Sequence, residues 1–216
     1  MPVVGGADNS LEEHHFLGLA IKNIAGDQNH CGVLYRLDSG EIRMLHLAFH
    51  YDLRDEKLKP DYLCAPAGLE FENQLVVAAY ASAIANSKPS IPYGFDANGM
   101  IFDDESGELL EAPAGKGLTC ATFVLALFRT LGFEPLDEET WPTRDEDKQW
   151  QDQIMQAMMD AGASQNHIDA VINNGQSRRF RPEEVVGTSV TSYEEWAIGF
   201  DRAKVIAQEV LDDIAA

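Results

Sequence analysis

The sequence predicts an α+β fold: an antiparallel sheet packed on a helix that begins at Cys120, with a helical elaboration towards the C-terminus. Three observations carry this. Residues 31–37 and 41–49 are β-type runs on either side of Asp38-Ser39-Gly40. Residues 120–131 are apolar almost all round and stop at Gly132, a residue suited to the position after a helix end. Beyond Asp137 the chain turns strongly charged, with helical patterns near 145–161, 164–174 and 192–214.

Taken in order, residues 16–24 form a short apolar run that fits a buried strand, although periodicity alone leaves a helix open. The two runs that follow read as a β-hairpin. A three-residue loop of this kind needs positive φ at its third position, which Gly40 adopts without steric cost. Between 69 and 86, Leu69, Val76, Tyr80, Ala83 and Ile84 recur at helical spacing until Ser87-Lys88-Pro89 ends the pattern. Residues 93–118 are loop-like. We therefore expect a core over 1–136 and a helical extension over 137–216 packed on it.

Composition excludes several classes. Sixteen Lys+Arg against 36 Asp+Glu give a formal charge of −20, which opposes nucleic acid and anionic lipid and favours, if any macromolecule, a basic protein partner. Met1 to Ser10 carries no basic stretch followed by an apolar one, and no segment reaches ~18 uninterrupted apolar residues, so a cytoplasmic chain without membrane insertion is expected. The three cysteines, at 31, 64 and 120, are an odd and widely spaced set, unlike a disulfide framework or paired zinc ligands. His14-His15 beside Glu12 and Glu13 lacks a second ligand cluster, so neither metal nor other cofactor is expected. Cys64 reads as a loop or packing residue, and His167 as a residue of a surface helix.

The residues that point to chemistry are Thr119-Cys120 and two histidines. A thiol in the first turn of a helix faces unpaired backbone N–H groups and the positive end of the helix dipole, which stabilise thiolate and can serve an acyl-transfer oxyanion. A buried structural cysteine is the bland alternative. The hairpin adds a base. With a three-residue loop, Leu37 faces Glu41, Gly32 faces His46 and His30 faces Ala48, which places His30 and His46 diagonally on one face with Gly32 leaving room for the second ring. His50 has the same parity and is a reserve for the orienting role. Cys31 falls on the opposite face, in the core.

These residues resemble a family. The order His30-Cys31-Gly32-Val33-Leu34-Tyr35, then a strand with His46, then Leu118-Thr119-Cys120-Ala121-Thr122-Phe123-Val124, is similar to the circularly permuted NlpC-type papain-like cysteine hydrolases and their lecithin retinol acyltransferase-like relatives. The resemblance covers roughly residues 16–133. It implies Cys120 as nucleophile, His30 as base and His46 as third member, and it makes Tyr93, within Ile91-Pro92-Tyr93-Gly94-Phe95, a residue that lines the site along with Thr119. The expected activity is that of a peptidase or amidase acting on a peptide- or amide-containing substrate through a thioester intermediate. An acyltransferase or thioesterase of the same fold, or a non-enzymatic binding protein with an acidic surface, are the alternatives.

Overall fold

The computed structural model describes Leu11, residues 14–110 and residues 112–216. The leader reading of Met1 to Ser10, and Glu12 and Glu13 beside the histidine pair, lie outside them. Among the described residues the fold is α+β: a five-stranded antiparallel sheet and six α-helices.

The first strand, β1 (Leu17–Ala25), settles the ambiguity of residues 16–24 in favour of a strand, and its apolar run is buried because both faces of the sheet are covered there. Strands β2 (Gln28–Arg36) and β3 (Ile42–Phe49) form the expected hairpin. Val33 faces Leu45 and Arg36 faces Ile42, which is the register of a three-residue loop. Leu37 and Glu41 close it through an N–H to carbonyl bond of 2.9 Å, and Gly40 sits at φ 84°.

Two further strands complete the sheet, in the order β4-β3-β2-β1-β5. The edge strand β4 (Asp52–Lys57) is nearly all charged, which suits an edge open to water. The other edge, β5 (Leu63–Pro66), holds Cys64, a buried packing residue within a strand rather than a loop.

One face of the sheet meets the helices. On this side Leu17, Leu19, Ile21, Cys31, Val33, Tyr35, Leu45 and Leu47 join a continuous core with α1 (Phe71–Ser87), α2 (Cys120–Thr130) and α5 (Pro182–Val190). Every residue of α2 from Cys120 to Phe128 is buried, as its all-round apolar character requires. A smaller cluster of Leu11, Ala20, Leu34, Met44, Tyr62 and Cys64 lines the other face.

The C-terminal region contributes α3 (Asp147–Asp160), α4 (Gln165–Asn173), α5 and α6 (Phe200–Ala215). Two of these depart from the sequence reading. Helix α5 falls where no helix was expected, and it packs on β1, β2 and α2 as part of the core. The last helix starts at Phe200 rather than 192, after a short 3-10 turn at Tyr193–Glu195. No helix among the described residues is long and apolar enough to cross a membrane.

Candidate active site

Helix α2 begins where the thiol is needed. Thr119 is its N-cap, with extended backbone, and accepts from the Thr122 N–H at 3.2 Å; the Thr122 hydroxyl in turn accepts from the Thr119 N–H at 2.7 Å. This reciprocal pair satisfies two backbone donors and fixes the first turn, leaving Cys120 as the first helical residue. The segment before it is held by a crossing. Tyr93 bridges Leu118 and Asp96 bridges Lys116 in parallel, and a Cβ on Gly117 would come within 2.4 Å of the Gly94 nitrogen. Only two facing glycines allow that approach, and it is what carries Tyr93 to Cys120.

His30 and His46 lie just past the end of the β2/β3 ladder and are hydrogen-bonded through their rings, His30 Nε2 to His46 Nδ1, at 2.7 Å. Both are buried. Gly32 makes the contact possible, since a Cβ there would meet the His46 Cβ and Met44 Cε at 2.7 Å and the Leu45 carbonyl at 2.9 Å. The ring of Tyr62 stands edge-on to His30 with centroids 6.4 Å apart.

The proton positions follow from the partners. His46 Nε2 is 3.3 Å from Glu56 Oε1 without an in-line hydrogen bond, so the carboxylate acts on the ring electrostatically and favours a proton on that nitrogen. His46 Nδ1 is then an acceptor and His30 donates through Nε2. This leaves His30 Nδ1 for the Cys120 thiol. Burial, followed by the neighbouring His30, pushes the His46 pKa down to about 4, so His46 stays neutral while it holds His30. The Glu56 carboxyl is itself held below its ordinary range, first by the Lys59 ammonium at 2.6 Å and then by His46.

Cys120 is buried, yet its pKa is lowered well below that of an ordinary thiol, chiefly by the neighbouring Cys31 thiol, with the His30 ring also lowering it against the opposing cost of burial. The Cys31 pKa moves the other way, raised by the Cys120 thiol beside it and by burial. Cys31 therefore belongs to the core face, as its parity requires, and still reaches the Cys120 sulfur. Two consecutive residues of β2, His30 and Cys31, thus both act on the thiol. The Tyr93 hydroxyl is raised by burial and by the neighbouring thiols, while the Cys120 backbone N–H that faces it opposes the rise. Tyr93 and Cys120 line the same cavity.

His50 is not at this site. Strand β3 ends at Phe49, with a register shift against β4 between Leu47 and Phe49, and the chain turns away before His50 can follow the face of His30. Its Nδ1 instead accepts from the Tyr93 N–H at 3.0 Å. His167, expected on a solvent-facing surface, is buried. Its Nδ1 accepts from the Gly115 N–H at 3.3 Å and its Nε2 donates to the Tyr93 carbonyl at 2.9 Å. Two histidines thus hold both backbone polar groups of Tyr93.

A cavity of about 210 Å³ opens on Cys120, His30, Thr119 and Tyr93. Its opposite wall comes from the C-terminal region: Trp150 and Ile154 of α3, Arg179, Phe180 and Pro182. Glu56, Cys31, His167 and this wall are the parts that sequence reasoning missed. Searches against protein-family models, curated proteins and solved structures returned no match to the chain.

Proposed function

We propose that the protein is a cysteine hydrolase of peptidase or amidase type, in which Cys120 attacks a carbonyl and His30 carries the proton. The observation that supports this best is the hydrogen-bonded His30-His46 pair set against a thiol of lowered pKa on the wall of one cavity. A nucleophilic thiol needs a base whose other nitrogen is held by a third group, and this arrangement has all three.

In the mechanism, His30 Nδ1 takes the Cys120 proton as the sulfur adds to the carbonyl carbon. The oxyanion is met by the Cys120 backbone N–H and the Tyr93 hydroxyl. His30 then passes its proton to the leaving amine, and the carbon–nitrogen bond breaks to give a thioester. Water, deprotonated by His30, releases the acid and restores the thiol. Throughout, neutral His46 accepts from His30 Nε2, so the ring keeps its orientation in both protonation states.

The resemblance to permuted papain-like hydrolases rests on the same residues, and we extend it to a sheet packed on the nucleophile's helix. Mass spectra of the protein exposed to amide-, thioester- and lipid-ester-based electrophiles test the reading. Adduct formation at Cys120 with the amide series leading is expected. Preferential labelling by the lipid esters would make it an acyltransferase, and no labelling in any series would make it a binding protein.

A further inference from the structure

The proposed hydrolase leaves one charged group on the cavity wall without a task. Arg179 lines the same cavity as Cys120 and His30, across from them, and its side chain is only 13% exposed. One end is anchored: Nη1 donates to Asp147 at 3.1 Å. The guanidinium also lies over the Trp150 ring, 3.9 Å from its centroid, a stack that fixes its plane. The remaining edge is unused. Nε is buried and has no hydrogen-bond partner among the described residues.

The surrounding charges do not supply that partner. Asp147 already receives Arg144 at 2.6 Å and Arg181 at 2.9 Å, and Glu184 pairs with Arg144 and Trp141. Glu183, the acidic residue nearest the cavity from α5, accepts from Asn29 at 2.9 Å. An unpaired donor on a buried cation is destabilising, so its retention on the wall of a site calls for a ligand. The Nε–Nη2 side of a guanidinium is a flat two-donor fork matched in spacing to the two oxygens of a carboxylate.

We propose that Arg179 is a specificity-determining residue and that the substrate carries a carboxylate close to the carbonyl attacked by Cys120. This rests on the hydrolase reading of Cys120 given above. The fork receives the carboxylate, Trp150 and Phe180 flank it, and the anion is held while the thiol reacts. It also gives the C-terminal region a part in the site: α3 supplies the aromatic platform, and the Arg178-Arg179-Phe180-Arg181 segment supplies the cation. In a chain of charge −20, a local cation is what an anionic substrate needs in order to bind at all.

The test uses N-bromoacetyl-amino acids with a free carboxylate and their carboxamide counterparts, comparing rates of Cys120 alkylation. In the unaltered protein the carboxylate probe should react about tenfold faster than the carboxamide, the size expected of a charge-assisted pair. In Arg179→Gln the two rates should converge. Arg179→Lys, which keeps the charge but not the fork, should retain a smaller preference, and it decides the matter if the Gln variant fails to fold. Fast alkylation by both probes at equal rates would overturn the carboxylate inference and leave the hydrolase reading standing. Slow alkylation by both would overturn the hydrolase reading and this inference with it.

Discussion

His30 and His46 share a hydrogen bond of 2.7 Å, whereas His50 and His167 stand with ring centroids 5.2 Å apart and direct their nitrogens at the backbone around Tyr93. Both pairs include a histidine from β3 or from the turn that follows it. The first pair has a nitrogen left over for the thiol. The second directs Nδ1 of His50 and both nitrogens of His167 at backbone groups of Tyr93 and Gly115, so its work is to hold a loop. What separates the pairs is where the rings are directed: His30 lines the cavity with Cys120, while His50 and His167 hold the backbone of Tyr93.

Breaking the first pair should have the largest effect. His30→Ala and Cys120→Ala are each expected to lower turnover about 10⁴-fold or more, to a similar residual level, and the double variant to be little worse, because members of one catalytic unit are not additive. Steady-state kinetics on a substrate found by the electrophile screen would measure this. Near-normal turnover in His30→Ala would move the base elsewhere.

The pH dependence of stability reports on both pairs, most strongly through His46. His46 has a folded pKa of about 4 against an ordinary value of 6.5, so the unfolded chain binds the extra proton between these values. Its contribution is present above pH ~6.5 and is lost as pH falls towards 4, a loss of about 3 kcal/mol at the lower end. Denaturant midpoints of the wild type and His46→Asn should converge by that amount over this window. His50 is lowered too, first by burial and then by His167, and adds loss of the same sign.

Breaking the second pair should separate folding from chemistry. His167→Ala leaves the Tyr93 carbonyl and the Gly115 N–H without partners in a buried place, costing about 2 kcal/mol. The same variant should retain a reactive Cys120 thiol while kcat falls, because the loosened Tyr93 serves the oxyanion rather than the thiol. Urea unfolding and thiol alkylation, measured on one preparation, check both halves.

Glu56→Gln should have the smallest effect. The carboxylate is partly exposed and not in line with His46, and such contacts are worth at most about 1 kcal/mol, so turnover should fall by no more than about fivefold. A larger loss would mean that the His46 proton position depends on this charge more than the geometry implies.

The two pairs also differ in how far they could be read from sequence. His30 and His46 belong to one hairpin, and a loop length set by Gly40 fixes their relative face by simple alternation. Cys120 announces itself because an apolar run begins there after a Thr. His167 comes from a distant helix, and nothing local indicates that its face is covered by the loop at Gly115; its burial is a tertiary fact. Strand β4 was hidden by its own chemistry, since Asp52-Leu53-Arg54-Asp55-Glu56-Lys57 has charges on both faces of an edge and no apolar alternation, and Glu56 was hidden with it. Helix α5 did carry a signal: Pro182 at the first helical position followed by Glu183 and Glu184 is a standard helix start. The glycine at 187 obscured the pattern, and it is there because a Cβ would strike Ile206 of α6 at 2.7 Å.

In the proposed mechanism Cys120 is a reactive thiol whose proton passes to His30. The most direct measurement of this is the rate of Cys120 alkylation by iodoacetamide near pH 6, resolved by peptide mass from Cys31 and Cys64, in the wild type and in His30→Ala. We expect fast, selective modification of Cys120 in the wild type and a rate nearer that of an ordinary cysteine once His30 is removed. An inert Cys120, or one whose reactivity is unchanged without His30, would contradict the account.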